Sequence, residues 1–316
     1  MLLDQDSRNR LKYLFGSCVG FDEPMSRHTY FRVGGPAEAF IAPESIGQLA
    51  EIISWSRDKG IPYLVIGNGS NLLVKDNGIP GIVILLTKCF NKIVFSGKET
   101  EPVLVTAMAG VSTQALCSFA IREGLSGMNF AIGIPGTVGG AIMMNAGTSY
   151  GSVSDILDSV NVMISSGAML KIPKDEMAFS YRKLSLNINL TDQYEGEPII
   201  IDGCFRLCRS DPALLKKEAG RILKKRRENQ PAEMPSAGSF FKNPPAGKTA
   251  GQFIDMAGLK GTRVGGAEIS AKHANFIVNT GGASASDILE LMQLVQKKVF
   301  DKFNINLEPE VKIVGI

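Results

Sequence analysis

The chain has 316 residues, 44% hydrophobic and 21% charged, which is long enough for two or three domains with ordinary cores. Its formal charge of +3 is mild and gives no reason to invoke nucleic acid or an anionic membrane as a partner. Two histidines, His28 and His273, are too few for a histidine-rich metal site, so no metal is expected.

Residues 1–10 carry Asp4, Asp6, Arg8 and Arg10 and lack an apolar signal core, and no run is long enough to span a bilayer. Five cysteines (Cys18, Cys89, Cys117, Cys204, Cys208) form an odd set without metal spacing. They read as small hydrophobes in a reducing cytoplasm, with Cys204 and Cys208 on one face of a strand.

In chain order, a first segment opens with a helix near 7–14. A turn at 28–37 feeds a strand at 37–41, and Ser45 caps a helix running to about Arg57 and stopping at Gly60. A strand at 62–66 runs into Gly67-Asn68-Gly69-Ser70-Asn71, with further strands at 81–86 and 92–95. A second segment begins near Glu99. It holds a strand at 103–107, a helix at 112–122 closed by Gly124, and an apolar glycine loop at 130–147. A hairpin follows at 160–172, and then a long strand at 198–208. A third segment starts at the Asp211-Pro212 cap of a basic helix reaching about Asn229. It continues through a loop at 237–244, a short helix at 249–257 and a strand at 275–278. Ser284 caps a long amphipathic helix with Asp287 three residues on, and a last strand spans 307–314. Strands and helices mix without strict alternation, so an α+β fold is expected.

Two glycine loops carry the chemical interest. Backbone N–H groups at 67–71 can form an anion nest that suits a pyrophosphate, although an Asn-Gly turn has the same pattern. The stretch at 130–147 sets Gly133, Gly136, Gly139, Gly140 and Gly147 among apolar residues, as a pocket wall or a tight internal turn would. Neither loop is a dinucleotide fingerprint or a P-loop. Arg182 is a bidentate clamp for a carboxylate or a surface arginine. Ser239 is a proton donor if its neighbours tune it, and otherwise a loop serine. Lys242 and Asn243 suit phosphate or amide groups, or a solvated loop tip. Arg226 and Arg227 end the basic helix within reach of a nucleotide phosphate or on a solvated face. Glu308 and Glu310, two apart, share one face of a strand unless Pro309 bends it.

Taken together, the motifs have a precedent. They are His-Thr-Tyr-Phe-Arg-Val-Gly-Gly-Pro-Ala (28–37), Gly-Asn-Gly-Ser-Asn-Leu-Leu (67–73) and Gly-Ile-Pro-Gly-Thr-Val-Gly-Gly-Ala (133–141). Phe-Ser-Tyr-Arg (179–182), Ala-Gly-Ser-Phe-Phe-Lys-Asn-Pro (237–244), His-Ala-Asn-Phe-Ile-Val-Asn (273–279) and Leu-Glu-Pro-Glu-Val (307–311) follow in order. The set closely resembles the UDP-N-acetylenolpyruvoylglucosamine reductase family, in its shorter subtype without an insertion in the substrate domain.

The resemblance implies a two-part FAD-binding unit of the vanillyl-alcohol oxidase type at 1–97 and 98–208, then an α+β substrate-binding domain at 209–316. It implies noncovalent FAD, NADPH as co-substrate and a UDP-sugar substrate. The product is UDP-N-acetylmuramate for peptidoglycan, and so for cell wall, shape and division. The implied setting is cytoplasmic, and the implied state is a monomer. FAD would be held by Gly67, Asn68, Gly69, Ser70, Asn71, Leu72, Gly133, Gly136, Thr137, Gly139, Gly140 and Gly147. Arg182, Ser239 and Glu310 would be catalytic, and Tyr181, Arg227, Lys242 and Asn243 would bind substrate. Two departures stand out: Thr148 and Ser149 both precede Tyr150, and Ser185 stands behind Lys183 and Leu184. Both look like single-residue insertions. A sugar-nucleotide transferase, a nucleotide-binding module and a flavin oxidase are the rival readings, and bound flavin and its reactivity separate them.

Overall fold

The computed structural model describes residues 2–96, 101–186, 197–245 and 247–316. It is α+β, as expected, and three sheets organise it. The first has the order Val19–Pro24, Pro36–Ile41, Ile79–Leu85, Tyr63–Ile66. The first pair is antiparallel and the other two pairs are parallel. Ile79–Leu85 is the inner parallel strand, and its Ile-Pro-Gly-Ile-Val-Ile-Leu sequence is buried over most of its length. That continuous apolar run is what a strand covered on both faces needs.

The second sheet is antiparallel and centres on the eleven-residue strand Ile199–Arg209. Leu157–Met163 and Val103–Met108 flank it, with Met169–Pro173 and Ile93–Ser96 at the edges. Val103–Met108 alternates buried and half-buried residues, as a strand with one face on the core must. Ile93–Ser96, which the sequence order puts in the first segment, pairs with Val103–Met108 and belongs to the second sheet. The expected boundary at 97 and 98 lies outside the described residues. Cys204 and Cys208 do share a face of the central strand, but it is the open one, and Cys208 is exposed rather than a core hydrophobe.

The third unit packs Ala285–Phe303 and Ala250–Met256 on a small sheet of Arg263–Val264, Ala267–Ile269 and Ile277–Asn279. Its core takes in Phe31, Val33 and Leu73 from the first unit. The last strand is shorter than expected, Lys312–Val314. It runs parallel to Leu72–Val74, just past the 67–71 loop. The basic helix Pro212–Asn229 packs Ala219 and Ile222 into the core shared by the first two units, although it opens the third segment. No described helix is long and apolar enough to cross a membrane.

Asp76 closes the joint between the first and third units. Its carboxylate accepts from the Ala285 and Ser286 N–H groups at 2.8 and 2.9 Å and from Ser286 Oγ at 2.6 Å. Those N–H groups begin a nineteen-residue helix and have no partner within it. Partial burial pushes the Asp76 carboxyl up, but the bonds from Ser286 and Ala285 outweigh it and hold the group below the usual range. A lowered folded value stabilises above the unfolded pKa, and the contribution disappears as pH falls through the folded one. Asp76→Ala should therefore cost about 1 kcal/mol at neutral pH. The gap to the parent in urea denaturation should shrink on acidification, and a gap independent of pH would overturn this account.

Candidate active site

The two glycine loops, about 65 residues apart in sequence, lie against each other. Ser70 Oγ donates to the Pro135 carbonyl at 3.2 Å. A Cβ on Gly67 would stand 2.3 Å from Thr137 Oγ1, and one on Gly136 would stand 2.9 Å from Ser70 Oγ. The turn at 67–71 is fixed from behind: Tyr30 N–H donates to the Gly69 carbonyl, and Gly69 has φ +62 with the His28 carbonyl 1.9 Å from where a Cβ would be. The N–H groups of Asn68, Gly69, Ser70 and Asn71 donate to no other described residue. Successive free N–H groups in a tight turn fit the oxygens of a pyrophosphate. The cradle therefore suits the phosphates of a dinucleotide cofactor such as FAD.

The second loop is not loop throughout. Thr137 accepts from Gly140 N–H and caps a short helix, Val138–Met143, that begins inside the glycine run. Gly139 lets that helix sit on Ala109, where a Cβ would come within 2.9 Å. Gly147 lies further on, in a small hairpin pairing Gly147–Thr148 with Gly151–Ser152. Ser149 and Tyr150 form the tip of that hairpin, where Tyr150 is exposed. Leu72 is buried in its strand. Arg226, half-buried at the end of the basic helix, lays its stem on Gly133, and burial lowers its pKa. Arg227 points to solvent and contributes only its carbonyl, as acceptor for Lys272 Nζ.

Arg182 stands at the tip of a hairpin, Met177–Ser180 with Lys183–Leu186. It has φ +60, a conformation costly for a non-glycine residue. Its guanidinium lies 4.9 Å from the ring of half-exposed Tyr181. Arg182 Nε donates to Glu310 Oε1 at 2.7 Å, and the two side chains are 21% and 15% exposed. The terminal nitrogens of Arg182 bond no other described residue. Burial pushes the Glu310 carboxyl above the usual range, while Arg182 and Lys242 pull it back. Glu308 lies in water instead: it is 70% exposed and accepts from Lys242 Nζ at 2.5 Å. The two glutamates are thus separated by environment, and residues 307–311 form an extended segment with a single bridge between Phe241 and Pro309.

Glu310 is where the units meet. Its N–H donates to the Phe240 carbonyl at 2.8 Å, one residue after Ser239. Its own carbonyl accepts from Asn71 Nδ2 at 3.1 Å. The arrangement gathers the Gly67–Asn71 turn, Arg182, Ser239 and Glu310. Lys242 is drawn to Glu308, and Asn243 Oδ1 accepts from Ala250 N–H. The Ser239 hydroxyl is half-buried and bonds no other described residue. Asn145 escaped the sequence reading. It accepts from Ser154 N–H and donates to the Ser180 carbonyl at 3.2 Å, tying the second glycine loop to the Arg182 hairpin. Its positive φ, which asparagine tolerates, marks it only once the coordinates are in hand. Among the described residues no group of three His, Cys, Asp or Glu could hold a metal ion.

Comparison with known proteins agrees with this geometry. Residues 37–173 match the FAD binding domain model, and residues 230–314 match the C-terminal domain model of UDP-N-acetylenolpyruvoylglucosamine reductase. A reductase of that name from Desulfosudis oleivorans is 45% identical over 99% of this chain and 100% of its own length. The chain belongs to the UDP-N-acetylenolpyruvoylglucosamine reductase family. The relatives from Clostridium novyi and Heliobacterium modesticaldum are 41% and 42% identical, over 92% and 93% of this chain and 90% of each. The crystal structure of the Thermus caldophilus reductase superposes with a TM-score of 0.76 at 36% identity, covering 92% of this chain and 97% of that one. Members of this reductase family carry FAD, and the match at 37–173 holds both glycine loops.

The contact between the loops gives a direct test. Gly67→Ala drives a methyl group into Thr137 Oγ1, so the loops must part. Retention of FAD should weaken about tenfold or more, which corresponds to about 1.4 kcal/mol. Flavin absorbance after dialysis measures it, and an undiminished flavin content would remove Gly67 from the site.

Proposed function

We propose that this chain is the cytoplasmic FAD-dependent reductase that converts UDP-N-acetylenolpyruvoylglucosamine to UDP-N-acetylmuramate, with NADPH as reductant. The observation that carries the proposal is the junction at Glu310, where Arg182, the Ser239 segment and the phosphate-binding turn converge.

FAD, held by the two glycine loops, would supply the hydride chemistry that links NADPH to the terminal carbon of the enolpyruvyl double bond. The chain's own residues do the rest. The Gly67–Asn71 turn and the loop at 133–140 hold the cofactor. Arg182 spends only Nε on Glu310, so its terminal nitrogens remain for the substrate carboxylate. Hydride addition puts negative charge on the adjacent carbon and its carboxylate. Arg182 stabilises that charge, and Glu310, whose carboxyl burial holds above the usual range, can share a proton with it. Ser239 gives its hydroxyl proton to the adjacent carbon and is reprotonated from solvent. One NADPH and one proton are consumed, and the double bond becomes a single bond. NADPH and the sugar nucleotide use the same pocket in turn. Lys242, Asn243 and Tyr181 would contact the nucleotide part of the substrate, and Arg227, which points to solvent, would have to turn to join them.

The experiment is an anaerobic titration followed by flavin absorbance. NADPH should bleach the protein and the enolpyruvyl sugar nucleotide should recolour it. Recolouring by air alone would point to an oxidase, and a protein that binds no FAD would favour a transferase. Ser239→Ala should still bleach with NADPH, while its reoxidation by substrate slows by about 10²- to 10⁴-fold, the range of a lost general acid. Reoxidation at the parent rate would remove Ser239 from the proton-donor role.

A further inference from the structure

The segment carrying Ser239 has no neighbouring strand of ordinary length to hold it. Phe240 and Phe241 are 0% and 1% exposed, so their backbone groups need partners inside the protein. On one side the extended segment 308–311 provides them: Glu310 N–H donates to the Phe240 carbonyl, and Lys242 N–H donates to the Glu308 carbonyl, both at 2.8 Å. On the other side a single residue does the work of a strand. Phe240 N–H donates to the Asn275 backbone carbonyl at 2.7 Å. Phe241 N–H donates to Asn275 Oδ1 at 2.9 Å, and Asn275 Nδ2 donates to the Phe241 carbonyl at 2.8 Å.

The Asn275 amide thus satisfies both backbone groups of Phe241. It is 4% exposed, and its own N–H donates to His273 Nδ1 at 3.2 Å. The residue before Ser239 is Gly238, at φ +80 with open space where a Cβ would be, so the nearest upstream anchors are Ala237, buried in the core of the third unit, and the Pro235 carbonyl, which accepts from Asn279 N–H. Next to the serine itself, the hydrogen-bonded anchors are the two residues after it, Phe240 and Phe241.

We propose that Asn275 is a positioning residue for the proton transfer: its side-chain amide clamps Phe241 and thereby aims the Ser239 hydroxyl at the substrate carbon. The inference rests on the reading of Ser239 as proton donor. Hydride uptake from NADPH needs no proton from Ser239, so the clamp acts on one half-reaction only. A misaimed donor also makes proton transfer the slow step, which a loss of fold stability alone would not do.

The test uses the FAD-loaded protein in anaerobic stopped flow, with Asn275→Ala, Ser239→Ala and the double variant. Asn275→Ala should reduce with NADPH within about twofold of the parent rate and reoxidise with substrate about tenfold more slowly or worse. The solvent deuterium isotope effect on reoxidation should rise. In the Ser239→Ala background the same substitution should add nothing, because the two act as one unit. Should the alanine variant fail to fold, Asn275→Asp carries the same cycle. It keeps the acceptor for Phe241 N–H and loses the donor to the Phe241 carbonyl. Equal slowing of both half-reactions, or additivity with Ser239→Ala, would overturn the clamp while leaving Ser239 in place. Parent-like reoxidation of Ser239→Ala would overturn both together, which keeps the two failures distinct.

Discussion

The arrangement depends on one ion pair, Arg182 with Glu310, because it joins parts of the chain that local structure cannot bring together. Arg182 comes from a hairpin of the second unit and Glu310 from the C-terminal segment, 128 residues later. Both side chains are mostly withdrawn from water, and removing one partner of such a pair costs up to about 3–5 kcal/mol, since the other charge is left stranded. The pair is also where strain is held. Arg182 sits at positive φ, at a cost of about 1–3 kcal/mol for a non-glycine residue. The Arg182 bond and the Asn145 tie to the Ser180 carbonyl, two residues earlier, offset that cost.

The glycine loops solve a different constraint. A polar cofactor must be held by backbone, and backbone can reach it only where side chains are absent. Gly67 and Gly69 lack room for a Cβ for two separate reasons, the Thr137 hydroxyl on one side and the His28 carbonyl on the other. The 67–71 turn is therefore pinned by protein on its far side while its N–H groups stay free for a ligand. Apolar residues around Gly133–Gly140, Ile132 and Val138 among them, pack this support into the main core.

Local chemistry made much of the fold legible. Ser45, Asp211 and Ser284 cap the helices that the sequence assigns to them, because a cap is decided by residues two or three positions apart, and Ser112 and Thr249, read as the first residues of their helices, prove to be caps as well. What was hidden is tertiary. Val138–Met143 reads as loop because its two glycines disfavour helix, yet the Thr137 cap and the close seat on Ala109 make the helix. Val19–Pro24 was missed because Asp22, Glu23 and Pro24 are poor strand formers, and pairing with Pro36–Ile41 decides the matter. Pro212–Asn229 opens a new segment in sequence but packs backward on the FAD-binding unit, which its own pattern cannot reveal. The motif residues were legible through resemblance. Which of Arg226 and Arg227 faces the glycine loop required coordinates.

The choice between Glu308 and Glu310 shows how identical side chains come to differ. Period-two spacing puts both on one face of a strand, and the motif alone does not separate them. In the folded chain the bridge at Pro309 meets Phe241, and the two residues pass through different depths of the third unit. Glu308 stays in water beside Lys242, where a pair contributes little. Glu310 is carried inward under Arg182, and burial outweighs the cation in setting its pKa. Its carboxyl accepts from the Arg182 Nε, and the two terminal nitrogens of that guanidinium bond no other described residue. The buried glutamate is thus the one in contact with Arg182, and the solvated one pairs with Lys242. That difference comes from depth within the third unit, and the residue type contributes nothing to it.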